Sequence, residues 1–129
     1  MASIDVLVES EYSDDFLSAA VATVLQISRE EVVVIHDLSE YPHTDGSQVV
    51  CNVQRFDEGF SQSVSCDCQH DFDGDQFVRG IAAALKTRCL VPASDPNPYA
   101  MRLFTANGEV ADVFVDASAL DYKGVYIIA

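Results

Sequence analysis

The sequence predicts an α+β fold in which two helices pack on one face of a mainly antiparallel sheet, followed by a C-terminal β-hairpin or strand extension. Two observations lead to this prediction. Strand-like segments with alternating or β-branched apolar residues surround two segments with helical apolar spacing. After the second helical segment only strand patterns remain, and Asn107-Gly108 between two of them is the strongest hairpin signal in the chain.

Local patterns define the individual elements. The predicted segments are, in order, a strand at 4–8, a helix opened by 13–15, strands at 31–36, 48–56 and 60–68, a helix opened by 73–75, and strands at 89–91, 99–106, 109–116 and 125–129. Serine or aspartate at each helix start supplies an N-cap oxygen. The strand and helix that begin near 64 repeat the pattern of those that begin near 4. Two such β-α units on one antiparallel sheet indicate a ferredoxin-like or related sandwich.

The size and cysteine usage of the chain indicate one reduced domain. With 129 residues, 49% of them apolar, the chain is long enough for one core, and we expect a single domain over 1–129. The N-terminus lacks a signal-peptide pattern, and no apolar stretch is long enough to span a bilayer. The cysteines lie inside strand-like apolar segments, at Cys51, Cys66, Cys68 and Cys89. We therefore expect buried, reduced thiols and a cytoplasmic protein.

Acidic residues dominate the charge, and they are unevenly placed. The chain has 21 Asp and Glu against seven Lys and Arg, a net charge of −14. Residues 1–75 hold 16 of the acids and only Arg29 and Arg55, whereas residues 76–129 hold five acids and five bases. Such a field repels nucleic acids and anionic membranes and speeds encounter with cationic proteins. The charge pattern therefore predicts a basic protein partner and neither direct nucleic-acid binding nor membrane binding.

The predicted layout gathers carboxylates at one end of the sheet. If hairpins join the strands at 31–36, 48–56 and 60–68, the first, second and fourth strands all end at the same edge. The predicted partner-binding residues are Glu9, Glu11, Tyr12, Asp14, Asp15, Asp37, Glu40, Tyr41, Asp45, Asp71, Asp73 and Asp75. Tyr12, Tyr41 and Phe72 are candidate aromatic anchors among these acids. Acids at helix starts also complement the helix dipole and maintain solubility, which is the alternative explanation for Asp14, Asp15, Asp73 and Asp75.

A metal site or a catalytic site is the other chemistry that the residues suggest. Cys66, Cys68 and His70 share one strand face, and the layout places His36 and His43 at the same end, so that a zinc site is geometrically possible. The same face is apolar from 60 to 68, as in a core strand with cysteine as a small hydrophobe. Residues 71–75 resemble only a fragment of a calcium loop. We therefore predict no metal and no cofactor, and no catalytic residue can be assigned.

The whole profile of the chain, small, acidic, α+β and without a catalytic motif, resembles that of the immunity proteins that neutralise bacterial toxins. The resemblance implies occlusion of a basic toxin by carboxylates and one or two aromatic anchors, and it carries no site residues across. Two alternatives stay open. One is a small metal-dependent or cofactor-free enzyme that uses the Cys, His and Asp end of the sheet. The other is a nucleic-acid mimic whose carboxylates imitate phosphates.

Overall fold

A computed structural model of the chain describes residues 2–40 and 48–129. The strands are β1 (Ala2–Val8), β2 (Val32–Ile35), β3 (Val49–Arg55), β4 (Gln62–Cys68), β5 (Cys89–Pro92), β6 (Ala100–Phe104) and β7 (Val110–Phe114). The helices are α1 (Asp14–Leu25), α2 (Gly74–Leu85) and α3 (Ala117–Lys123). The strands form one sheet in the order β2-β3-β4-β1-β5-β6-β7, and all neighbours are antiparallel except β2 and β3. The predicted α+β class, with a mainly antiparallel sheet and a C-terminal hairpin, is confirmed.

The two long helices cover one face of the sheet. Apolar side chains at alternate positions of β1, β3 and β4, such as Val6, Val53 and Val64, form one core cluster with residues of α1 and α2. Without β2, the segment β1-α1-β3-β4-α2-β5 has the split order of the ferredoxin-like motif, with β4 between β1 and β3 and β1 between β4 and β5. The two similar β-α units in the sequence are therefore the two halves of this motif.

The predicted helix starts are confirmed. Ser13 Oγ accepts a hydrogen bond from the Phe16 N–H, and the Asp73 carboxylate accepts one from the Gln76 N–H, so both residues are N-caps. Gly80 lies where the two helices come closest. A Cβ atom at this glycine would lie 2.8 and 2.9 Å from the two methyl carbons of Val24. The absence of a side chain at 80 therefore permits the close packing of α1 on α2.

The direction of β3 differs from the prediction. The layout assumed a hairpin between β2 and β3, but these two strands are parallel, and β4 consequently runs opposite to β1 and β2. The 13 residues between Ile35 and Val49 are enough for a crossover to the other end of the sheet. As a result β1, β2 and β3 all end at one edge of the sheet, whereas β4 ends at the opposite edge.

The C-terminal segment contains a helix, α3, in a region where the sequence pattern predicted strands only. Asp116 caps α3 through a hydrogen bond from the Ala119 N–H, and Gly124 ends it with a φ of +67°. The expected strand at 125–129 is reduced to one bridge between Val115 and Ile128. Leu120 and Ile128 then pack on the sheet face opposite α1 and α2, where they cover a second apolar cluster that includes Leu90.

The four cysteines are free and buried, as predicted. All four belong to the core cluster between the sheet and the helices. Cys51 and Cys66 are directly opposite each other on β3 and β4, with 3.2 Å between their sulfur atoms. The hydrogen bond with Cys51 and complete burial raise the pKa of the Cys66 thiol well above its usual value. These residues therefore act as small core hydrophobes.

Candidate functional site

Acidic residues are concentrated where β1, β2 and β3 end, and we call this region the strand-end surface. It comprises Glu9, Glu11, Asp14, Asp15, Asp37, Glu40, Asp57 and Glu58. The first six of these belong to the predicted binding set. Asp57 and Glu58 were not part of that set, and they join the strand-end surface because the turn after β3 lies at this edge.

The other predicted acids do not lie on the strand-end surface. Asp71, Asp73 and Asp75 follow β4, which ends at the opposite edge, so the prediction of one common acidic end is wrong. Asp73 caps α2, and the Asp75 carboxylate accepts two hydrogen bonds of 2.9 Å from the Arg102 guanidinium. That bidentate pair lowers the pKa of Asp75. Tyr41 and Asp45 lie outside the described residues.

Most ion pairs of the strand-end surface join distant parts of the chain. Arg55 contacts Glu11 at 2.9 Å, Arg29 contacts Asp15 at 2.9 Å, and Arg88 binds both carboxylate oxygens of Glu9. Lys123 lies 3.4 Å from Glu58. Arg88 and Lys123 belong to the part of the sequence with no net charge, so folding brings bases from that part to the acids of the first part. All these side chains are substantially exposed, and each such pair contributes only about 0–1 kcal/mol to stability.

His36 joins β2, β3 and the start of α1. Its Nε2 lies 2.7 Å from the Asp14 carboxylate and its Nδ1 lies 3.2 Å from the Val53 carbonyl oxygen. Both partners are acceptors, so the imidazole satisfies both only when it carries two protons. The hydrogen bond with Asp14 raises the pKa of His36, against a smaller opposing effect of burial. The contact between Asp14 and His36 therefore links the end of β2 to the start of α1, and it strengthens when the imidazole carries its second proton.

Tyr12 has a structural role. Its backbone N–H donates to Gln62 Oε1 at 2.8 Å, its carbonyl oxygen accepts from Gln62 Nε2 at 2.9 Å, and its hydroxyl donates to the Leu85 carbonyl at 2.6 Å. Its half-buried ring stacks on Phe16 with 5.4 Å between the ring centroids. Among the described residues of this surface, Phe16 is an exposed aromatic, with a relative exposure of 52%. Phe16 is not one of the predicted partner-binding residues, although its position directly after Asp14 and Asp15 was a signal.

The structure does not bring the proposed zinc ligands together. His36 follows β2 and His70 follows β4, so they lie at opposite edges of the sheet, and Cys66 and Cys68 point into the core. Within residues 2–40 and 48–129 no three His, Cys, Asp or Glu side chains are arranged to hold a metal ion. His43 lies outside those ranges.

The face of the sheet opposite α1 and α2 is only partly covered. Asp5, Ser65 and Asn52 are directly opposite one another on β1, β4 and β3, and Leu7, Ser63 and Gln54 form the next row. The Asn52 Oδ1 atom is buried and has no hydrogen-bond partner in the described part of the chain. This face therefore carries polar side chains without a hydrogen-bond partner among the described residues.

A groove of about 340 Å³ lies between these polar rows and the C-terminal segment. Its floor includes Asp5, Gln54, Ser63 and Ser65, and the aromatic residues Phe56 and Tyr126 border it. Phe56 precedes Asp57 directly, so one end of the groove adjoins the strand-end surface. No spacing pattern in the sequence indicated this groove, because its lining residues come from distant parts of the chain.

Comparison with known proteins yields no family model, no curated protein and no solved structure that matches this chain. None of the described helices is long and apolar enough to cross a membrane.

Proposed function

We propose that this protein is an acidic protein-binding inhibitor whose strand-end surface binds a basic protein, and more specifically that it is an immunity protein that occludes a basic toxin. The observation that carries the proposal is the imbalance between the few basic residues, most of which already form ion pairs, and the many carboxylates that have no such partner in the described part of the chain. Among the residues that the structure describes, five of the seven Lys and Arg side chains pair with carboxylates of the protein itself. Within the described ranges most of the acidic residues have no Lys or Arg partner, and with a net charge of −14 the surface field is negative.

The ion pairs within the protein also leave its carboxylates accessible to basic side chains of another protein. A partner's Lys or Arg can approach the carboxylates of Glu11 and Asp15, whose side chains are 61% and 91% exposed. Little stability is lost when an exposed pair is rearranged, since each contributes only about 0–1 kcal/mol. The negative field would speed the encounter, and desolvated pairs would slow dissociation.

Phe16 supplies the aromatic contact that such an interface needs. Interface energy is usually concentrated in a few aromatic or arginine side chains surrounded by polar residues. Phe16 is exposed, is held by stacking on Tyr12, and lies directly beside Asp14 and Asp15. It therefore replaces Tyr12 as the expected aromatic anchor.

Affinity capture with matched variants tests the proposal. We would immobilise the protein, capture partners from a lysate of the cells that express it, and elute with rising salt. Glu11→Gln with Asp15→Asn removes two carboxylates from the strand-end surface, and Glu109→Gln with Asp112→Asn removes two from the β6–β7 hairpin at the far edge of the sheet. We expect a basic protein that salt releases, and that only the first double variant fails to capture.

The identity of the captured protein separates the forms of the proposal. A partner whose expression is toxic without this protein supports the immunity assignment. A DNA-binding partner that competing DNA displaces supports a nucleic-acid mimic. A captured partner with neutral charge, or one retained equally by both double variants, would contradict the acidic-surface mechanism.

A further inference from the structure

We propose that the groove on the open sheet face is the receptor for an arginine side chain of the basic protein partner. This inference rests on the proposed function and adds a specific anchoring site beside the strand-end surface. It depends on three features of the groove: its charge, its unused hydrogen-bonding groups and its aromatic walls.

The charge of the groove favours a cation. Asp5 contributes a carboxylate, and no Lys, Arg or His is among the described residues that line the groove. Asp5 also differs from Glu9, Glu11 and Asp15, because it forms no ion pair or hydrogen bond within the described part of the chain, whereas each of those acids has an arginine partner. A cation that enters the groove therefore meets a carboxylate that no base in the described part of the chain neutralises.

The hydrogen-bonding groups in the groove are available. The side-chain polar atoms of Gln54, Ser63, Ser65 and Tyr126 have no hydrogen-bond partner in the described ranges. Each of these groups can accept a hydrogen bond. Ser63 and Ser65 lie on β4, which pairs with the Asp5 strand β1, Gln54 lies on β3, and Tyr126 lines the groove from the C-terminal segment. Acceptors distributed in this way suit a planar guanidinium, which has five N–H donors in a fixed fork, better than an ammonium group.

The aromatic residues that border the groove also favour an arginine side chain. Phe56 and Tyr126 border the groove, and guanidinium groups are attracted to aromatic faces within about 6 Å of the ring centre. The protein already uses this contact elsewhere, because the Arg102 guanidinium lies 5.1 Å from the centre of the Phe104 ring. The aliphatic part of an arginine side chain can pack on the apolar walls while its charged end reaches Asp5.

NMR titration with short peptides tests the proposal on the full chain. The probe is acetyl-Gly-Arg-Gly-amide at low salt, and the control is the same peptide with citrulline, which has a similar shape and no charge. We expect saturable shifts of the backbone amides of Ser63, Ser65 and Tyr126 with the arginine peptide and none with citrulline. Asp5→Asn should weaken binding at least about tenfold, because a charge-assisted hydrogen bond is lost.

Two further variants make the result specific. Asp112→Asn removes the same charge from a strand position outside the groove, and should leave binding unchanged within about twofold. Ser65→Val fills part of the floor with a residue that favours strands, and should abolish the shifts while the circular dichroism spectrum stays that of the folded protein.

The possible outcomes distinguish the groove from the proposed function. Arginine-peptide shifts confined to the strand-end surface, or shifts in the groove that Asp5→Asn does not weaken, would overturn the groove assignment and leave the proposed function standing. The same holds if the peptide causes no shifts but the captured basic partner still binds. If neither the peptide nor deca-arginine binds at low salt and no basic partner is captured, both proposals fail.

Discussion

Replacement of Gln62 by Glu tests how the start of α1 is held in place. Gln62 has a relative exposure of 0%, and its side-chain amide forms two hydrogen bonds with the backbone of Tyr12. A carboxylate can still accept from the Tyr12 N–H, but it cannot donate to the Tyr12 carbonyl. Gln62→Glu therefore leaves a buried acceptor unpaired and places a negative charge beside it.

The magnitude follows from these two effects. A buried unsatisfied carbonyl costs about 1–3 kcal/mol. Burial raises the pKa of the introduced carboxyl above its ordinary value of about 4.3, and each unit costs about 1.4 kcal/mol at neutral pH. We expect Gln62→Glu to lower the free energy of unfolding by about 2–4 kcal/mol at pH 7. Below the unfolded-state pKa of about 4.3 the protonated carboxyl donates to Tyr12, so the deficit is smallest there and grows as pH rises towards the folded-state value.

Urea unfolding at several pH values measures this effect. Gln54→Glu is the matched control, because it adds the same charge at an exposed position of β3. We expect the control to change the free energy of unfolding by less than about 0.5 kcal/mol. Equal effects of the two substitutions at pH 7, or a Gln62→Glu deficit that does not shrink in acid, would refute the reasoning.

Three other predictions concern the pair at the strand-end surface, the thiols and the helix contact. The Asp14 hydrogen bond raises the pKa of His36 above 6.5, so the stabilising effect of this bond should be complete below pH 6.5 and be lost as pH rises through the raised value. The difference in the free energy of unfolding between wild type and His36→Gln should therefore shrink from pH 6 to pH 8.5. A difference that stays constant over this range would contradict a pair in which His36 is protonated. All four thiols should react slowly with a disulfide reagent in the native protein and quickly in urea, because they are buried and burial raises the pKa of Cys89 to about 12. A fast reaction of all four thiols in the native protein would contradict this. Gly80→Ala should destabilise the protein by about 1–3 kcal/mol, because the added methyl group overpacks against Val24, and this effect should exceed the better helix propensity of alanine. Val24→Ala should relieve part of that cost. A stabilising Gly80→Ala would show that the two helices move apart easily.

The elements with strong local signals could be predicted from the sequence. The N-caps Ser13 and Asp73 and the Asn107-Gly108 turn each act over a few residues, so the sequence alone located both long helices and the last hairpin. The C-terminal helix was missed, although Asp116 and Gly124 are suitable cap residues. Its seven residues are too few for helical periodicity to stand out from the strand pattern before them.

The candidate site was harder to predict because it depends on strand direction. Nothing local distinguishes a hairpin between β2 and β3 from a crossover, and that choice decides which edge of the sheet receives Asp71 and Asp73. The contact between Asp14 and His36, 22 residues apart, depends on the same topology. The groove depends on Asp5 near one terminus and Tyr126 near the other, and such long-range proximity leaves no periodic pattern in the sequence.

The rate of association with the captured basic partner tests the central claim most directly. We would measure association and dissociation by stopped flow between about 50 and 500 mM salt, where the Debye length falls from above 10 Å to below 5 Å. If the strand-end surface steers the partner, the association rate falls steeply with salt while dissociation changes little, and Glu11→Gln with Asp15→Asn slows association more than Glu109→Gln with Asp112→Asn does. An association rate that is independent of salt, or that responds equally to the two double variants, would contradict the claim that this surface is the binding site.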